Sequence, residues 1–102
     1  MTKLPTSLKI AGHEYEVRVF DMLEETGDAD MGNTHPAACR INVSSRAGES
    51  QQWATLLHEA IEGLNVEYAM HIEHDNIARL ESAIFQLLED NFPLWRYKVV
   101  KR

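Results

Sequence analysis

The chain has 102 residues, of which 44% are apolar and 25% charged, with three prolines and five glycines. That balance suits one globular unit and excludes a linker-rich or disordered chain. Its formal net charge of −6 repels phosphate backbones, so no nucleic-acid partner is expected.

Compartment follows from a few local features. The single cysteine, Cys39, cannot form an internal disulfide, and it reads as a small buried apolar residue. Met1-Thr2-Lys3-Leu4-Pro5 has no apolar signal core, and no stretch approaches membrane-spanning length. The cytoplasm is the expected location, with no membrane partner.

In chain order, Leu8-Lys9-Ile10 alternates apolar and polar residues, and Gly12 supplies turn chemistry. Tyr15-Glu16-Val17-Arg18-Val19 then alternates again, which predicts a β-hairpin with Leu8, Ile10, Tyr15, Val17 and Val19 on one face. Asp21 to Pro36 is polar and turn-rich and reads as a loop with room for a short strand near Met31. Cys39-Arg40-Ile41-Asn42-Val43 alternates once more and predicts a strand. Ser44 to Glu49 is a second polar loop.

Ser50 is placed to cap a first helix with the apolar stripe Trp53, Leu56, Leu57, Ile61 and Leu64. Gly63 and Asn65 mark its expected end. A second helix starts near His74, with Asp75 as cap and Ile77, Leu80, Ile84, Leu87 and Leu88 as stripe. Asn91 and Pro93 close it. Leu94 to Val100 has strand-like composition, and residues 92–102 read as a loose, solvated basic tail carrying Arg96, Lys98, Lys101 and Arg102. The expected architecture is α+β: a small antiparallel sheet, hairpin plus strand, packed against two helices in a single domain over 1–102.

Chemistry concentrates on the two helices. His58 and Glu62 are four residues apart and stack on one helical face, which also carries Asn65. Imidazole and carboxylate both suit zinc, and this spacing lets two ligands reach one ion. Glu59 projects about 100° around the helix from His58. In zinc hydrolases such a Glu does not bind the metal; it takes a proton from the water that the ion acidifies. A third ligand must come from elsewhere. His74 and Glu81 share the inner face of the second helix but are separated by about 10 Å of rise, so one is expected to bind and the other to support or stand by. His74 is preferred, being near the helix start and supplying a second imidazole; Glu81 is the alternative. The competing account is a surface ion pair between His58 and Glu62, worth about 0.3–0.5 kcal/mol. His13, His35 and His71 fall in turns or connectors and are assigned to solvent.

The segment Leu56-Leu57-His58-Glu59-Ala60-Ile61-Glu62 resembles the active-site helix of the zincin metallopeptidases, whose motif is His-Glu-x-x-His. The order of hairpin, strand and helix resembles the minimal gluzincins of phages and mobile elements, which include relatives of the peptidases that cleave phage repressors. Gly12-x-x-Tyr15-x-Val17, Ile41-Asn42-Val43 and Thr55 to Glu59 carry that likeness, while Glu62-Gly63-Leu64-Asn65, His74-x-x-Ile77 and Leu80-Glu81 resemble a phage-type subgroup with His-Glu-x-x-Glu in place of His-Glu-x-x-His; together the resemblance spans most of residues 8–88. It implies a zincin-like fold, zinc as cofactor, ligation by His58, a general-base role for Glu59 and a peptide or protein substrate. Many zinc hydrolases also take a Glu ligand from a later helix, which keeps Glu81 open. Glu62 departs from the family pattern, so a zincin-like binding module without catalysis is the alternative to a peptidase.

Overall fold

The computed structural model describes residues 3–100. Four strands form one sheet: β1 (Ser7–Ile10), β2 (His13–Phe20), β3 (Gly32–His35) and β4 (Arg40–Ser44). Four helices accompany them: α1 (Met22–Thr26), α2 (Glu49–Glu67), α3 (His74–Asn91) and α4 (Trp95–Val100). The fold is α+β.

β1 and β2 form the expected hairpin, with Leu8 opposite Tyr15 and Ile10 opposite His13. Ala11 (φ 52°) and Gly12 (φ 82°) turn the chain. Two successive left-handed residues match the right-handed twist of the flanking strands, which is why two-residue hairpins favour this geometry. Tyr15 and Val17 are buried as expected, whereas Val19 is 43% exposed.

The sheet order is β1-β2-β4-β3. β2 and β4 run parallel, pairing Val17 with Ile41 and Val19 with Val43. The sheet is therefore mixed, which corrects the expected all-antiparallel arrangement. The segment between β2 and β4 holds α1, β3 and a 3₁₀ turn at Pro36–Ala38. Parallel neighbours require such a crossover, because a tight turn cannot bring the chain back to the same end of the sheet. β4 consequently sits inside the sheet, so Ile41 to Val43 do not form an open edge. β3 takes the outer place, antiparallel to β4. Cys39 lies just before β4 in a left-handed conformation (φ 48°) and is half-buried.

The core joins Tyr15, Val17, Ile41 and Val43 of the sheet to Trp53 and Leu56 of α2. α2 begins at Glu49 behind Gly48, just before the expected cap Ser50, and runs through Gly63 and Asn65 to Glu67. α3 begins at His74 with Glu73, not Asp75, in the cap position. Of its stripe, Ile77 is fully buried, while Leu80 and Leu87 are 40% and 57% exposed. The expected strand-like tail is instead helix α4. Trp95 packs edge-on against Trp53 and Phe85, with ring centroids at 5.3 and 5.7 Å. Its indole N–H donates to Glu89 at 2.8 Å, and the Arg96 guanidinium pairs with the same carboxylate. Trp95 and Arg96 are thus engaged, while Phe92, Leu94, Tyr97 and Lys98 stay exposed; Lys101 and Arg102 lie outside the described residues. No helix among the described residues is long and apolar enough to cross a membrane.

Candidate metal centre

α2 presents two side-chain sets to the space beneath α3. At 100° per residue, His58 and Glu62 lie on the flank that meets α3, while Thr55 and Glu59 turn toward β3. The Nε2 atom of His58 is 3.5 Å from Oε2 of Glu62. The same Glu62 oxygen is 3.0 Å from Nδ1 of His74, the first residue of α3. The two imidazoles meet edge-on, with centroids 5.1 Å apart. One donor atom each from His58, Glu62 and His74 can be chosen so that all lie within 4.8 Å of one another. Glu81 approaches from the other side: its Oε1 is 3.7 Å from Nδ1 of His58. Exposure is graded across the set, from 14% for the His58 side chain to 72% for His74, which forms the solvent rim.

His74 owes its place to Asn65, which the sequence offered as a helix terminator and as a neighbour on the His58 and Glu62 face. Asn65 lies inside α2, one turn beyond Glu62. Its amide donates to the carbonyl of Ile72 at 3.0 Å, and its oxygen accepts from the N–H of Ile72 at 2.9 Å. This two-bonded clamp folds the connector back onto α2 two residues before His74. The connector also contains two non-glycine residues in the left-handed region, Ala69 (φ 49°) and His71 (φ 57°), a conformation that L-residues adopt at a cost. His13, His35 and His71 are all exposed. Among them His13 meets Glu67, at 3.4 Å, and none joins the cluster.

Glu59 is the buried member, only 9% exposed. Burial pushes its carboxyl above the ordinary glutamate value; the hydrogen bond from Thr34 and the neighbouring His58 pull in the opposite direction. Thr34 sits on β3 opposite Ile41, hence on the helix-facing side of the sheet. Its Oγ1 lies 2.6 Å from Glu59 Oε1 and 3.0 Å from the backbone carbonyl of Glu59. The hydroxyl therefore suits both protonation states. It donates to the ionised carboxylate; when Glu59 is protonated, it can accept that proton's hydrogen bond and donate to the carbonyl.

Close approach of β3 to α2 depends on Gly32. A Cβ there would lie 2.5 Å from Thr55 Cγ2, 2.9 Å from the Asn42 carbonyl oxygen and 3.4 Å from Glu59 Cγ. Gly32, Thr55, His58, Glu59, His74 and Glu81 line a polar cavity of about 300 Å³. The predicted site residues His58, Glu59, Glu62, His74 and Glu81 are thus brought to one place. Thr34, Gly32 and Asn65 join them without having been singled out for it. Asn65 carried a signal, its position on the His58 and Glu62 face; Thr34 carried none.

Comparison with known proteins returns no matching family, no matching curated protein and no matching solved structure. A functional reading rests on the residues themselves. Two imidazoles and one carboxylate form a donor set of the borderline type that zinc prefers. With its proton on Nδ1, facing Glu81, His58 keeps an Nε2 lone pair on the side of Glu62. Carboxylate support of a ligand imidazole is the usual companion of such sites.

Proposed function

We propose that the protein is a zinc-dependent hydrolase of peptide bonds, with His58, Glu62 and His74 holding the ion and Glu59 as general base. The observation that carries this reading is the convergence of those three donors beside a buried carboxylate. The 3.0 Å approach of His74 to Glu62 supports His74 over Glu81 as third ligand in this reading, with Glu81, 3.7 Å from His58 Nδ1, as the orienting group. Zinc bound there would supply Lewis acidity toward the scissile carbonyl and toward a water.

The protein's own groups do the rest. Glu59, with its raised pKa, is a better proton acceptor than an ordinary glutamate and holds that proton at its carboxylate for transfer to the leaving amine. Thr34 keeps the carboxylate in place through both states. β3 has β4 on one side and no strand on the other among the described residues. An extended peptide can add to that edge, where main-chain hydrogen bonds hold it against Glu59 without a deep pocket. A lone cysteine, which asks for no oxidising compartment, fits a cytoplasmic protein.

Glu62 favours a second reading, a zincin-like binding module of a phage or mobile-element assembly. A carboxylate where the resembled motif has histidine adds negative charge at the ion, leaving it a weaker Lewis acid. Metal analysis of untagged protein tests the site: one equivalent of zinc is expected, lost in His58→Ala and kept in Glu59→Gln. Absence of metal after zinc is supplied would refute both readings. Turnover of a peptide library that disappears in Glu59→Gln selects the hydrolase. Full zinc occupancy without turnover selects the binding module.

A further inference from the structure

The face of α2 opposite the metal centre borders a second, larger cavity, of about 700 Å³. Its walls are Trp53, Leu56 and Leu57 of α2, Leu88 of α3, and Trp95 and Val99 of α4. That volume lies within the range of small-molecule sites, which are mostly apolar with one or two polar groups that fix orientation. Here the polar groups are Asn91 and Lys98. Asn91 spends its amide N–H on the carbonyl of Leu87. Lys98 is exposed and meets no carboxylate among the described residues.

Net charge is −6, yet the charged side chain that lines this cavity is a cation, Lys98. Arg96 is engaged by Glu89. A concave apolar lining that includes an exposed ammonium with no carboxylate partner among the described residues asks for a long apolar group that ends in an anion.

We propose that this cavity binds a fatty-acid-type ligand, a single unbranched apolar chain ending in a carboxylate. The chain lies along Trp53, Leu56 and Leu88, and the carboxylate meets the ammonium of Lys98. The inference goes beyond the hydrolase reading and does not rest on it.

The test uses the chain's two tryptophans, Trp53 and Trp95, which both line the cavity, so their intrinsic fluorescence reports occupancy. Dodecanoate and dodecyltrimethylammonium, each below its micelle concentration, are titrated into the full-length protein. The overall negative charge favours the cationic probe, so a preference for the anion must arise locally. Dodecanoate is expected to saturate at one equivalent and to bind at least about tenfold tighter than the cation. Lys98→Glu, an exposed substitution, should reverse that order. Ala60→Phe, which fills the cavity wall, should abolish both responses while the circular dichroism spectrum stays unchanged. Equal affinities in the wild type, or an anion preference that survives Lys98→Glu, would overturn the proposal. So would a concentration-dependent dimer that dodecanoate fails to dissociate, since a second copy would then fill the cavity. The Lys98→Glu result decides the question even if Ala60→Phe does not fold.

Discussion

Glu59 shows how one side chain ties the site to stability. Its folded-state pKa lies above the ordinary value, so the folded protein holds this proton to a higher pH than the unfolded chain does. The fold is therefore penalised as pH rises from about 4.3, the usual Glu value, through the raised one. Glu59→Gln removes the penalty. In the presence of a chelator, denaturant unfolding should find this variant more stable than wild type near neutrality, with the gap closing toward pH 4. Asp21 behaves oppositely. Its hydrogen bond from Arg46 and the N–H of Glu24 hold its carboxyl below the ordinary value. That contribution is complete above about pH 3.9 and fades as pH falls through the lower folded value, so Asp21→Asn should flatten the acid limb of a stability profile. Tyr15 is fully buried, and its hydroxyl has no partner among the described residues. Tyr15→Phe deletes an unsatisfied polar group without opening a cavity. It should stabilise by about 1 kcal/mol, read as a rise of about 4–8 °C in Tm.

At the scale of elements, β3 determines whether Glu59 has a partner. Gly32→Ala forces the strand away from Thr55 and the Asn42 carbonyl, at a cost of about 1–3 kcal/mol. Moving the strand also moves Thr34, so if the proposed hydrolase reading holds, this variant should lose more turnover than stability alone accounts for. Denaturant midpoint and turnover measured on the same sample check this. β3 is also the strand that the sequence marked only loosely, as room for a short strand near Met31. Gly32-Asn33-Thr34-His35 has no apolar residue, and pairing with β4 alone makes it a strand. The β1–β2 hairpin and α2 and α3 were legible because their apolar residues repeat with the period of the structure they adopt. The tail misled for the converse reason. Tyr97, Val99 and Val100 favour strands, yet the segment is helical, with half-buried Trp95 packed edge-on against Trp53 and Phe85. His58, Glu59 and Glu62 were readable from spacing along one helix. Thr34 reaches Glu59 across twenty-five residues, and no local pattern announces a partner that far away. Parallel pairing of β2 with β4 was hidden likewise, because local alternation does not encode strand direction.

For the whole molecule, the proposed metal binding would be coupled to folding. A ligand that binds only the folded state adds about 2.7 kcal/mol when present at a hundred times its Kd. Zinc should therefore raise Tm in wild type and leave His58→Ala unmoved in a thermal scan. Asn65→Ala, which cuts the connector clamp, should weaken zinc affinity by about 10–100-fold while the helical signal persists. The placement of the clamp has a kinetic consequence as well. His58, Glu62, Asn65 and His74 all belong to one short stretch, the α2–α3 hairpin, whose contacts are local and quick to form. β2 and β4 must instead meet across the long excursion through α1 and β3, where loop closure is slow. The helical hairpin can thus close around an ion before the sheet exists, and zinc added at the start of refolding would act on the rate as well as on the endpoint.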